Sequence, residues 1–257
     1  MQFIDTHSHL YFPEFDNDRD EVINRAIRGG IEKICLPNID IRSIKTMMYL
    51  VNKYPDFCFP MIGLHPTSVR KNYRDMLKNV REYLLIENFI AIGEIGIDLY
   101  WDNTYKEEQM KAFREQITLA IDNQLPVVIH IRESFDEVFQ ILDEFKPDYP
   151  KGIFHSFTGN IDQAHSAIAM GFKLGIGGII TFKNSGLDKV VRDIDLKHIV
   201  LETDSPYLAP VPKRGKRNES SYLIYTARKI AELHKVAVEK IADITSQNAI
   251  KLFKLNK

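Results

Sequence analysis

Histidine and carboxylate side chains close five of the short apolar runs in this chain: His7-Ser8-His9, Glu94, His130, His155 and Asp204. Imidazole and carboxylate are the usual ligands of divalent cations, and two histidines at i and i+2 on an extended backbone point the same way, so they can clamp one ion. A His-x-His pair by itself also occurs as two surface histidines. Here four more ligand groups end other apolar runs, and in a parallel barrel the catalytic groups come from the C-terminal ends of strands, so all six are expected at one mouth. Six ligands exceed the three or four that one ion needs, which implies two cations sharing a carboxylate. Glu94 is the expected bridge, because Gly93 and Gly96 flank it and let backbone and ligands approach closely. His7, His9 and Asp204 would complete one site, and His130 and His155 the other. Asp204 and Glu94 are the expected catalytic pair, with Asp204 also accepting a proton from the attacking water. A plain helix N-cap before Ser205-Pro206 is the structural alternative for Asp204.

Such a mouth needs strands to carry it. Short β-branched or aromatic runs alternate with longer amphipathic ones along the chain, the pattern of βα units around a parallel sheet. Eight strands are predicted: Phe3 to His7, Lys33 to Leu36, Phe59 to Ile62, Phe89 to Gly93, Val127 to His130, Ile153 to His155, Phe172 to Gly175 and Ile199 to Glu202. Helical patterns lie between and after them, including Lys106 to Asn123, Ser134 to Phe145, Asp162 to Met170, Ser220 to His234, Ala237 to Ile244 and Ser246 to Phe253. Eight strands alternating with helices favour a single TIM-type (β/α)8 barrel domain over residues 1–257, with an open doubly wound sheet as the alternative. Gly175-Ile176-Gly177-Gly178-Ile179-Ile180 either prolongs strand seven or forms a loop.

With 44% hydrophobic and 27% charged residues in 257, the chain can bury one large core. A formal net charge of −1 provides no global positive field, so a polyanion would have to be met locally. Cys35 and Cys58 sit in apolar stretches, as buried thiols do, which points to a reducing cytoplasm. No apolar run reaches the roughly 18 residues of a membrane span, and no obligate protein partner is evident.

Several segments, in order, resemble the motifs of the TatD family of metal-dependent deoxyribonucleases. They are Phe3-Ile4-Asp5-Thr6-His7-Ser8-His9-Leu10, Gly63-Leu64-His65-Pro66, Gly93-Glu94-Ile95-Gly96-Ile97-Asp98, Val128-Ile129-His130-Ile131-Arg132, Phe154-His155-Ser156-Phe157-Thr158-Gly159, Leu201-Glu202-Thr203-Asp204-Ser205-Pro206-Tyr207-Leu208 and Arg214-Gly215-Lys216-Arg217-Asn218-Glu219. The resemblance covers essentially the whole chain. It implies a TIM barrel, two divalent cations and hydrolysis of phosphodiester bonds in DNA, typically from the 3′ side of single strands or ends. Ser220 stands where many relatives carry proline, which bears only on the shape of that loop. Imidazole-rich coordination suits zinc or manganese, whereas phosphate chemistry and the family suggest magnesium.

On this reading His65 is expected to donate to a substrate phosphate, the alternative being a helix-start histidine satisfied by the backbone. Glu202 is expected to orient an imidazole or a lysine. Arg132 would reach phosphate, or pair with Glu133 or Asp136. Within the one dense basic run, Arg214, Lys216 and Arg217 are the expected phosphate contacts. Tyr100 and Trp101, the chain's only tryptophan, would stack on a base, the alternative being a plug at the barrel rim. His165, His198 and His234 are expected to be ordinary surface residues, and neither cysteine to be catalytic. A competing enzyme class is a small-molecule amidohydrolase, lactonase or phosphoesterase on the same two-metal barrel. Such relatives usually bridge their metals with a modified lysine, and no lysine occurs between Phe89 and Tyr100. A non-catalytic metal-binding or nucleic-acid-binding protein is the third reading; it would be expected to carry more positive charge.

Overall fold

The computed structural model describes residues 1–255. Eight strands alternate with helices: β1 (Phe3–Asp5), α1 (Arg19–Arg28), β2 (Ile31–Pro37), α2 (Ile41–Lys53), β3 (Cys58–Met61), α3 (Tyr73–Ile86), β4 (Ile92–Asp98), α4 (Lys106–Asp122), β5 (Val127–Arg132), α5 (Phe135–Asp143), β6 (Gly152–Phe154), α6 (Ile161–Ala169), β7 (Lys173–Ile176), α7 (Leu187–Asp193), β8 (Ile199–Leu201), α8 (Leu223–His234) and α9 (Val238–Phe253). All pairings are parallel, β1-β2-β3 in one ladder and β4 through β8 in another. Backbone hydrogen bonds join the two ladders at both seams. Gly93 N donates to Ile62 O at 2.8 Å between β3 and β4, and Thr6 N donates to Leu201 O at 3.0 Å between β1 and β8. The fold is a TIM-type barrel.

Side-chain alternation divides the core in two. Ile4, Cys35, Met61, Ala91, Val128, Ile153 and Val200 form one buried cluster inside the barrel, and Phe253 and Leu255 close it from below. Their neighbours along the strands, among them Phe3, Ile34, Ile62, Ile92, Ile129, Phe154, Leu174 and Ile199, pack outwards against the helices with Val22, Leu77, Phe113 and Ile141. This is the period of two expected of strands buried on both faces.

Several predicted boundaries are corrected. The fourth strand is not Phe89 to Gly93 but Ile92–Asp98. Ile95 and Ile97 keep the outward alternation past the glycine, and pairing with β5 runs as far as Asp98 opposite Arg132. The register shifts between Gly93 and Ile95, which leaves Glu94 as the extra residue of a bulge. Strands β1, β6 and β8 stop before His7, His155 and Glu202, whereas β5 continues through His130 to Arg132. Strand seven extends to Ile176, and Gly178–Thr181 then forms a 3-10 turn. The two helices predicted at the end are one, α9. No proline or glycine interrupts it, and the Thr245 hydroxyl satisfies itself on Ile241 O at 2.7 Å. The segment from Ser220 begins as a 3-10 turn, with α8 starting at Leu223. Among the described residues no helix is long and apolar enough to cross a membrane.

Candidate metal centre

The period of two also builds the mouth. Val128, Ile153 and Val200 point into the barrel. The residues two further on, His130, His155 and Glu202, therefore face the axis one layer higher, at the C-terminal end. His7 and His9 follow β1, and Asp204 follows β8, whose turn is held to β1 by Asp204 N donating to His7 O at 2.9 Å. Asp204 adopts φ 54°, the left-handed region that aspartate tolerates better than most residues. The bulge in β4 turns Glu94 inwards among them, where it is 2% exposed.

Glu94 is the hub. Its Oε2 lies 3.2 Å from His7 Nε2 and 3.9 Å from His9 Nε2. Its Oε1 lies 2.7 Å from His130 Nδ1, 3.4 Å from His65 Nε2 and 3.6 Å from His155 Nε2. Asp204 Oδ1 stands 3.5 Å from His9 Nε2, 3.8 Å from His155 Nε2 and 3.9 Å from His7 Nε2. The geometry thus brings together all six residues read as ligands in the sequence. Three overlapping groups have ligand atoms close enough to hold an ion: His7, His9 and Glu94; His7, His155 and Asp204; and His65, Glu94 and His130. Neither ring nitrogen of His7 has a hydrogen-bond partner although the residue is fully buried. A buried imidazole without partners, facing carboxylate oxygens, fits a divalent cation.

Electrostatics are those of a site short of positive charge. Burial opposes ionisation of Glu94, but His65, His155 and His7 and the hydrogen bond to His130 hold its carboxyl well below the usual range. Burial likewise opposes charge on His130, yet Asp98 and Glu94 raise it to about 9. His155 is raised to about 10 against its burial, by Glu202 and Glu94. Burial lowers the pKa of His7, with the charge of His155 acting the same way.

Around this hub several side chains fix the ligands. Glu202 Oε1 lies 3.0 Å from His155 Nδ1 and accepts from Ser156 N at 2.7 Å. Its other oxygen packs where a β-carbon on Gly175 would stand, only 2.1 Å away, so this position requires glycine. Gly96, at φ +139°, similarly lets β4 approach the His130 carbonyl.

His65 departs from the expectation of a substrate contact alone, since it shares Glu94 Oε1 with His130. Two carboxylates went unnoticed in the sequence. Asp98 Oδ2 lies 2.9 Å from His130 Nε2. Asp5 accepts from Thr203 N at 2.9 Å and Thr203 Oγ1 at 2.6 Å, tying β1 to β8, and burial pushes its carboxyl up to about 6. A carboxylate inside each apolar run was the available signal.

The remaining candidates separate. Arg132 pairs with neither Glu133 nor Asp136; its guanidinium lies 3.8 Å over the ring of Tyr100 and 5.2 Å from that of Trp101. Trp101 is 73% exposed, so it is no rim plug. Arg214 lies 4.4 Å over Phe182, and Lys216 is exposed on the same loop. Arg217, expected to contact phosphate, bonds Asp18 at 2.7 and 2.8 Å and Glu14 O at 2.6 Å. His234 is not a free surface histidine either, since its Nε2 bonds Val191 O at 2.9 Å. Ser220 is buried, with no partner for its hydroxyl. A cavity of about 480 Å³ opens at the opposite end of the barrel, between Lys151, Met170, Lys173 and Lys251, and contains none of these groups.

Fold and centre together define a class, the metal-dependent hydrolases built on a parallel barrel. Within it, a model of the TatD related DNase family matches residues 4–254. The chain is 41% identical to the uncharacterized metal-dependent hydrolase YabD of Bacillus subtilis (strain 168) over 98% of its own length and 99% of the relative's. It is 30% identical to the 3′-5′ ssDNA/RNA exonuclease TatD of Pectobacterium parmentieri (strain WPP163), covering 96% of this chain and 97% of that one. The crystal structure of the TatD homolog YjjV from Escherichia coli K12 superposes with a TM-score of 0.89 at 29% identity, over 98% of both chains. The chain belongs to the TatD related DNase family.

Proposed function

We propose that the protein is a two-cation nuclease that releases nucleotides from the 3′ end of single-stranded DNA, with RNA as a second substrate. The observation that carries this reading is the division of the Glu94 carboxylate, one oxygen facing His7 and His9 and the other facing His65, His130 and His155. A carboxylate so placed suits the bridge of a two-ion site, with His7, His9 and Asp204 on one side and His130 and His155 on the other. His65 is a further ligand candidate on the second side. The polarity and the nucleic-acid substrate rest on family relatives such as the Pectobacterium exonuclease.

Divalent magnesium, manganese or zinc held there would supply a water acidic enough to attack at neutral pH and positive charge to offset the phosphoryl oxygens. The chain's own groups do the rest. Burial works against ionisation of Asp204, but His9, His155 and His7 lower its pKa, so at neutral pH it is a carboxylate able to accept the proton of the attacking water. Glu202 holds the His155 ring in place. Tyr100 and Trp101 offer faces to an unstacked base, which a duplex would not present, while Arg132, Arg214 and Lys216 meet phosphates. One barrel domain over residues 1–257 carries all of this, in the cytoplasm, where the free buried thiols Cys35 and Cys58 stay reduced.

The test is hydrolysis of 3′-labelled single-stranded DNA and RNA by chelator-stripped protein after adding back magnesium, manganese or zinc, with Asp204→Asn alongside. Metal-dependent release of mononucleotides by the parent and not by the variant is the expected result. No cleavage with any metal would overturn the nuclease reading and leave the barrel hydrolase.

A further inference from the structure

Asp98 joins the His130 side of the site to the loop that carries Tyr100 and Trp101. Its Oδ2 is 2.9 Å from His130 Nε2, and its Oδ1 accepts from Tyr100 N at 3.0 Å. The backbone that carries this carboxylate is clamped. Asp98 N donates to Gln109 Oε1 at 2.9 Å, and Gln109 Nε2 donates back to Asp98 O at 3.2 Å, with both residues buried. Leu99 N donates to Arg132 O at 2.9 Å, which ties the start of the same loop to β5 two residues beyond His130. Arg132 then closes the circuit by stacking on Tyr100 and Trp101.

We infer that Asp98 is a positioning residue that fixes the His130 ring with Nδ1 towards Glu94 and couples occupancy of that half of the metal centre to the placement of the Tyr100-Trp101 stacking platform. The chemistry follows from the two oxygens. Accepting from His130 Nε2–H leaves Nδ1 as the lone pair available to a cation, as outer carboxylates commonly do for metal-holding imidazoles. The other oxygen caps the first amide of the loop. A shift of the ring on binding a cation is therefore transmitted through one rigid carboxylate group to Tyr100, and loading the platform with a base acts back on the ring with the same coupling energy. This inference rests on the reading of His130 as a ligand in the proposed nuclease.

Trp101 is the chain's only tryptophan, so its emission reports the platform and nothing else. The experiment is a zinc titration of chelator-stripped, full-length protein, followed by Trp101 emission and by calorimetry, for the parent, Asp98→Asn and Asp98→Ala. Thermal melts of the metal-free variants establish that each is folded. The parent is expected to bind two zinc ions, with an emission change that tracks one of them. Asparagine has one oxygen for two N–H donors, so Asp98→Asn is expected to weaken one zinc equivalent by about 10- to 100-fold while retaining the other. Asp98→Ala is expected to lose the emission response as well, even at zinc concentrations that fill the site. His9→Ala, which perturbs the opposite side of Glu94, is expected to keep the response. Unchanged zinc affinity in Asp98→Asn, or an intact emission response in Asp98→Ala, would overturn the inference while leaving the nuclease reading in place. Failure of the parent to bind zinc, and manganese or magnesium in the same titration, would remove both.

Discussion

Replacing Gly175 by alanine tests the support of the metal centre from outside it. A methyl group there would stand 2.1 Å from Glu202 Oε2 and 2.9 Å from its Cδ, with Ile153 Cγ2 at 3.3 Å on the other side. Ordinary contact begins near 3.4 Å, so the carboxylate must retreat by about 1.3 Å, the difference between 3.4 and 2.1 Å. Glu202 Oε1 now accepts from Ser156 N at 2.7 Å and lies 3.0 Å from His155 Nδ1 as a charge contact without hydrogen-bond geometry, and a retreat of that size breaks the first and lengthens the second. Loss of such an outer partner weakens metal binding by about 10- to 100-fold, or roughly 1.4 to 2.8 kcal/mol. The assay is a calorimetric zinc titration of chelator-stripped Gly175→Ala beside the parent, with hydrolysis rates measured across metal concentrations. The expected result is weaker binding at the site that includes His155, with a rate that recovers as metal is raised. Parent-like affinity in a folded variant would show that Glu202 does not position His155, and the reasoning would fail.

Three further outcomes are expected. His130 and His155, raised to about 9 and about 10, lie above the unfolded value near 6.5. Their stabilisation of the metal-free protein is complete below that value and is lost as pH rises to about 10. Cations must displace these protons, so metal affinity should rise with pH over the same range. Melting temperatures in chelator that fail to fall between pH 7 and 10 would contradict this. Arg217→Ala should cost up to about 1 kcal/mol of stability through the half-exposed Asp18 pair and leave DNA affinity alone, whereas Arg214→Ala should reduce the salt dependence of DNA binding by about one phosphate contact. A drop in DNA affinity for Arg217→Ala with unchanged stability would reverse the assignment. Trp101→Ala should weaken single-stranded DNA binding by about 1 to 3 kcal/mol in fluorescence anisotropy, with little change for blunt duplex. Equal losses on both substrates would remove the stacking role.

Local sequence determines more of this protein than its size suggests. Apolar runs mark the strands, and the polar residues that end those runs, His7, His9, Glu94, His130, His155 and Asp204, were legible as a set because strand ends in a parallel barrel share one mouth. The period of two says which residues face the axis: His130 shares a face with Val128, and His155 with Ile153.

What pairing between strands decides was not legible. Glu94 was expected at the centre as the end of a strand; that it arrives there from within one, where the register of β4 on β5 slips by one residue, was not. No local pattern announces a slip that depends on the neighbouring strand. His65 follows β3 and Asp98 ends β4, and both meet His130 because the parallel pairing sets those strand ends beside that of β5. Arg217 and Lys216 are neighbours in one basic run, yet Asp18, just ahead of α1, stands against the first, and among the described residues no carboxylate pairs with the second. Residue type and spacing therefore set the chemistry on offer, while long-range packing chose which groups could use it.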